Sequence, residues 1–172
     1  ERDTVLGVGE IGLNKNTPNE IAVLEQHLQI AEDHKQLVLV HTPHMEDKLR
    51  GTHLIIDAIK NFPGIEPHKV LIDHCEEHTI SISKNAGHWS GLTIYPYSKC
   101  TPRRAVDIVE RFGADRLWLN SAADWGYSNP LSIALARQEM LMRGHSRELV
   151  TQLLWENPCA FLSQSPHFST EV

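Results

Sequence analysis

Short runs of aliphatic and β-branched residues recur along the chain, each closed by a turn residue and each followed by a longer amphipathic stretch. The runs are "TVLGVG" (4–9), "QLVLVH" (36–41), "HKVLIDH" (68–74), "SGLTIYP" (90–96) and "DRLWLNS" (115–121). Their brevity and near-continuous apolar character predict buried parallel strands. Between them, apolar residues return at close to the helical period of about 3.6. Thr17-Pro18-Asn19-Glu20 predicts a helix start, with Thr17 as N-cap, Pro18 in the first turn and Glu20 closing a capping box before "IAVLEQHLQIAEDH". Further helices are predicted over 46–62, stopped by Pro63-Gly64, over 102–113, running from a proline to a glycine, over 130–144, and over 146–158 with Ser146 as cap. Strand–helix–strand alternation with short connections implies right-handed βαβ units and a parallel sheet.

In parallel sheets, ligands gather at the C-terminal ends of the strands. The residues just after the runs are therefore the informative ones: Glu10 after the first, His41 after the second, His74 after the third, and Asp124 shortly past the fifth. Singly, each reads as easily as a structural residue. Together they place carboxylates and imidazoles in one bowl, where like charges repel and imidazoles need partners. A cation resolves that conflict, and an oxygen and nitrogen donor set suits Zn²⁺, Mn²⁺ or Mg²⁺. Such an ion lowers the pKa of a bound water. Gly9 and Gly12 are expected to give the backbone around Glu10 room.

Composition narrows the partners. A formal charge of −6 argues against a broad basic surface for phosphate backbones, although nucleic acid is not excluded where a metal supplies the positive charge. No apolar run reaches the roughly 18 residues of a membrane span. Three scattered cysteines, Cys75, Cys100 and Cys159, fit a reducing compartment, so a cytoplasmic location is expected. At 172 residues without linker or repeat, the chain is expected to form a single domain over 1–172.

"VGEIGLN", "LVLVHTPH", "VLIDHCEEHT" and "NSAADWG" resemble successive strand-end motifs of the TatD-like metal-dependent hydrolases, in the amidohydrolase superfamily of metal-bearing (β/α)8 barrels. The resemblance runs along most of the chain. It implies a TIM-barrel scaffold and an activated water that attacks an ester, phosphoester or amide of a small-molecule substrate. It also implies that Glu10 bridges two ions, that His41 and His74 bind the second, and that Asp124 assists the first and accepts the water's proton. That family begins with a His-x-His strand, and no such strand precedes Glu10. The chain opens at Glu1 without an initiator Met and is shorter than the roughly 250 residues of a complete barrel. It therefore reads as about five β/α units, strands four to eight, lacking the N-terminal strands. Such a sheet would expose an edge and a face bearing Val5, Val38, Val40 and Leu119, which predicts homo-oligomers or aggregates. "SAADWGYSNPL" departs from the family's usual Thr-Asp-x-Pro ending, which weakens the substrate analogy.

Two other functions compete with the hydrolase: a non-catalytic metal- or partner-binding fragment, and a metal-assisted sugar isomerase. An isomerase would need a lysine beside the ligands, and Lys99, past the fourth run, is the one candidate. His78 and His44 are expected to be solvated loop or helix-start residues. Cys75 is expected to point away from the site by strand alternation. Glu76 and Glu77 are expected at a helix N-terminus. Tyr95, Tyr97, Trp125, Asn120 and Ser121 are candidates for the pocket wall or for support of the ligands.

Overall fold

The computed structural model describes residues 4–44, 46–95, 98–123 and 126–170. Five strands, β1 (Gly7–Gly12), β2 (Leu37–His41), β3 (Val70–Asp73), β4 (Trp89–Ile94) and β5 (Leu117–Ser121), form one sheet in chain order, with every pairing parallel. The helices are α1 (Pro18–Asp33), α2 (Lys48–Lys60), α3 (Ile80–Asn85), α4 (Pro102–Phe112), α5 (Ser132–Met142), α6 (Arg147–Thr151) and α7 (Asn157–Leu162). The start of α1 follows its sequence signature. The Thr17 hydroxyl accepts from the Glu20 N–H, and the Glu20 carboxylate accepts from the Thr17 N–H.

Period-two alternation divides the strands between two faces. Val38 and Val40 of β2, Val70 and Ile72 of β3, Leu92 and Ile94 of β4, and Leu117 and Leu119 of β5 enter the main core against the helices. The expectation that Val38, Val40 and Leu119 line an exposed face is thus wrong. They have the opposite parity and are buried beneath helices, and of the four only Val5 is exposed. The other face changes character along the strands. Near their N-terminal ends it carries Leu37, Leu71, Trp89 and Trp118, and further along it carries His41, Asp73, Thr93 and Asn120. An apolar floor therefore supports a polar rim.

The floor is closed by the end of the chain. Phe161 of α7 is fully buried and meets Trp89 and Trp118 edge to face, with ring centroids 5.9 and 5.3 Å apart. Asn157 pins this helix, its side-chain amide donating to the carbonyls of Ala114 (2.8 Å) and Leu117 (2.6 Å) at the start of β5. Pro158 does not terminate the helical segment, which continues to Leu162. A single π-helical turn, Gln152–Glu156, intervenes, and the Asn157 N–H reaches the carbonyl of Gln152 five residues back. That wider turn accommodates a proline, which has no N–H to give and whose ring would crowd the carbonyl four residues back in an α-helix.

One smaller difference from the sequence expectation bears on the site: β1 extends through Glu10 to Gly12 instead of ending before it. The helix expected from Glu76 and Glu77 onward begins at Ile80, as the short α3.

Candidate metal centre

Glu10 sits at a β-bulge. Val8 pairs with Val38 and Ile11 with Val40, so Gly9 and Glu10 together oppose the single residue Leu39. Bulges re-aim side chains, and here the Glu10 carboxylate, half-exposed, reaches across two strands to His74: Oε1 lies 2.9 Å from Nε2. The neighbouring glycines serve other contacts. A Cβ on Gly12, whose φ is +156°, would lie 2.2 Å from the His41 carbonyl oxygen and 2.8 Å from its ring, so this glycine admits His41 beside Glu10.

Asp73 and His74 are consecutive, and strand alternation alone would send them to opposite faces. His74 takes a left-handed conformation (φ 59°), which costs energy for a residue with a Cβ. The surroundings hold it there. The Thr42 hydroxyl is 3.1 Å from the carbonyls of both Asp73 and His74, Lys48 donates to the His74 carbonyl, and the His74 N–H donates to Asp73 Oδ1. As a result both side chains face the rim.

Asp73 organises that rim. Its Oδ1 accepts from the Asn120 amide (2.9 Å) and the Thr93 hydroxyl (3.1 Å), and a Cβ on Gly91 would fall 2.2 Å from the same oxygen. The Thr93 hydroxyl has one proton and gives it to Asp73, so its oxygen accepts from His74 Nδ1, 2.6 Å away. Nδ1 therefore carries a proton, and Nε2 is the nitrogen turned to the open side of the rim. Nε2 faces Glu10 Oε1 and is also 3.0 Å from the ammonium of Lys99. A nitrogen and a carboxylate oxygen this close share either a proton or a metal ion. Hydrogen bonding to His74 holds the Glu10 carboxyl below its usual range, with the charges of His74, His41 and Lys99 adding to the effect and partial burial opposing it.

A cavity of about 210 Å³ opens above these groups, lined by Glu10, Asn14, His41, Thr42, His44, His74 and Lys99. Ligand atoms of Glu10, Asp73 and His74 lie within 4.8 Å of one another. His41 shares the cavity, with its ring centroid 6.4 Å from that of His74. Burial depresses its pKa and keeps the imidazole neutral, the form that binds metals. A carboxylate, the His74 nitrogen turned toward it, the neutral imidazole of His41 and a further carboxylate behind them form a donor set that fits a divalent ion.

The structure thus brings together Glu10, His41 and His74, while Asp124, Tyr97 and Trp125 lie outside the described residues. It adds three residues the sequence reading set aside or did not weigh. Asp73 was hidden by its neighbour His74, although it shares strand parity with Leu71 on the inner face. His44, expected in a solvated loop, is half-buried in the cavity wall, and burial lowers its pKa. Lys99 is anchored at the site by a bond from its N–H to the Tyr95 carbonyl and one to its own carbonyl from Arg104. Cys75 lies in the helix-side core, its thiol pushed up to about 12 by burial. Glu76 and Glu77, with exposed His78, form a second acidic group, but Lys48 and Arg104 pair with its carboxylates. Among the described residues no helix is long and apolar enough to cross a membrane.

No family model matches the chain. An uncharacterized metal-dependent hydrolase of Methanocaldococcus jannaschii is 26% identical over 165 residues, spanning 94% of this chain and 62% of that protein. The crystal structure of a TatD-like protein from Archaeoglobus fulgidus superposes with a TM-score of 0.69 at 28% identity, over 92% of this chain and 60% of that one. The phosphotriesterase homology protein of Escherichia coli, crystallised with phosphate in its active site, gives a TM-score of 0.73 at 16% identity, over 90% and 58%. The chain spans about three fifths of each of these relatives. With five parallel strands in chain order and relatives of this kind in both sequence and structure, the chain has a TatD-like fold of the amidohydrolase type.

Proposed function

We propose that the chain is the metal-binding part of a metal-dependent hydrolase of the TatD-like type, its five β/α units corresponding to the fourth to eighth of a (β/α)8 barrel. One observation carries the reading: the Asp73–Thr93 relay turns Nε2 of His74 toward the Glu10 carboxylate. Glu10, His41 and His74 would hold a divalent ion, which when bound polarises a scissile ester oxygen and acidifies a water. Asp73 orients His74 and strengthens it as a donor. Asp124, by its place after the fifth strand in the sequence, is the base proposed to accept the water's proton. Phosphoesters are the leading substrate class by resemblance to the TatD-like proteins, with small carboxyl esters and amides behind them.

Titration with Mn²⁺ or Zn²⁺, followed by elemental analysis, should find at most one tightly held ion per chain, because a His-x-His pair is missing from the donor set. Glu10→Gln and His74→Ala should lower metal affinity and hydrolysis of p-nitrophenyl phosphate together. Asp124→Asn should keep the metal and lose the hydrolysis, since an amide is a poor base. Full activity in Asp124→Asn, or unchanged metal affinity in His74→Ala, would reject the assignment.

The isomerase reading gains from one feature, the Lys99 ammonium at 3.0 Å from His74 Nε2, where such an enzyme polarises a carbonyl. Turnover of aldose and ketose sugars with no hydrolysis of any ester would favour it.

A further inference from the structure

Among the described residues lining the cavity, Lys99 is the one whose charge runs against a metal site. Its Nζ stands 3.0 Å from His74 Nε2, the nitrogen that the Thr93 relay turns toward Glu10, and 5.5 Å from the centroid of the Tyr95 ring. Its position is built. The backbone is tied on both sides, N–H to Tyr95 and carbonyl to Arg104, and Arg104 is itself fixed by Glu76 and Glu77. An ammonium and a divalent ion cannot both take the Nε2 lone pair, and two cations a few ångströms apart repel strongly. A lysine stem is flexible enough to swing its ammonium over the adjacent aromatic face and into the cavity, still within a few ångströms of the centre.

We propose that Lys99 competes with the metal ion for His74 and, with the ion bound, donates to an anionic oxygen of the substrate, selecting phosphate-like groups over neutral esters. The inference rests on the hydrolase reading of this same site. Local charge supports it. A dication and an ammonium a few ångströms apart both attract an anionic oxygen placed between them. Lysine is suited to the task, since a compact ammonium binds phosphate oxygens as a point charge without demanding one geometry.

The test uses the purified chain, Mn²⁺ or Zn²⁺ alone, and then inorganic phosphate added to the metal-loaded protein, with binding followed calorimetrically. Lys99→Met keeps the stem and removes the charge, and Lys99→Arg keeps the charge. In Lys99→Met the ion should bind at least about tenfold more tightly and phosphate at least about tenfold more weakly. Lys99→Arg should recover most of the phosphate affinity. Where hydrolysis is measurable, Lys99→Met should raise KM for p-nitrophenyl phosphate more than for p-nitrophenyl acetate. Equal metal affinity in wild type and Lys99→Met, or equal phosphate affinity, overturns the inference while leaving the metal centre standing. A folded wild type that binds no divalent ion overturns the metal centre itself, and the inference with it.

Discussion

Thr93 shows how a neutral side chain can decide what a charged neighbour does. Its hydroxyl lies between Asp73 and His74 and transmits the preference of one to the other: because it donates to the carboxylate, it must accept from the imidazole. Thr93→Val preserves the shape and deletes the relay. It should leave the fold intact and lower divalent metal affinity by about 10–100-fold, the range seen when partners behind a metal ligand are lost, as measured by competition with a chromogenic chelator. His88 offers a separate check, remote from the site. It is buried, bonds through Nδ1 to the Pro67 carbonyl, and burial depresses its pKa from the ordinary 6.5. The folded state therefore holds the neutral form, whereas the unfolded chain takes up a proton near pH 6.5. Stability from this group is complete above that pH and declines as the pH falls below it, until His88 is protonated in the folded state as well. Chemical denaturation at pH 7.5 and pH 5.5 should show the loss, and His88→Gln should reduce the difference between the two.

At the scale of elements, the features set by local chemistry were legible in the sequence, and those set by neighbouring strands were not. The capping box of α1 and the proline and glycine bounds of α4 depend on a few adjacent residues, and they appear where the signals stand. The five strands and their C-terminal ends were likewise readable, which is why Glu10, His41 and His74 could be named. The rest required knowing what lies across the sheet. Asp73 was missed because a strand end was read as one residue, when a left-handed His74 lets two consecutive residues face the same way. Val38, Val40 and Leu119 were assigned to the wrong face because an all-apolar run carries no parity signal, and only their polar partners His41 and Asn120 reveal it. Lys99 sits in a loop, and nothing in "YSKCT" announces that its ammonium bends back to His74.

At the scale of the molecule, the inner face is one gradient, from Trp89 and Trp118 on the floor to His41, Asp73 and Thr93 at the rim, and the last helix holds its lower end. Phe161→Ala should cost about 3–5 kcal/mol in denaturant unfolding, as expected for emptying a fully buried aromatic site, with metal affinity little changed because the rim makes its own contacts. The π turn before that helix also absorbs a residue. It holds one residue more than an α-helical turn over the same span, so removing one residue, Leu154 for example, would let the segment close to a regular helix with the residues beyond it still in phase. Asn157 would stay at the start of β5 and Phe161 against the two tryptophans, while Pro158 would regain the crowding that the wider turn relieves. The segment therefore carries one spare residue: a single deletion in the turn should keep the floor seated, and a second, with no slack left, should rotate everything beyond by about 100° and unseat it.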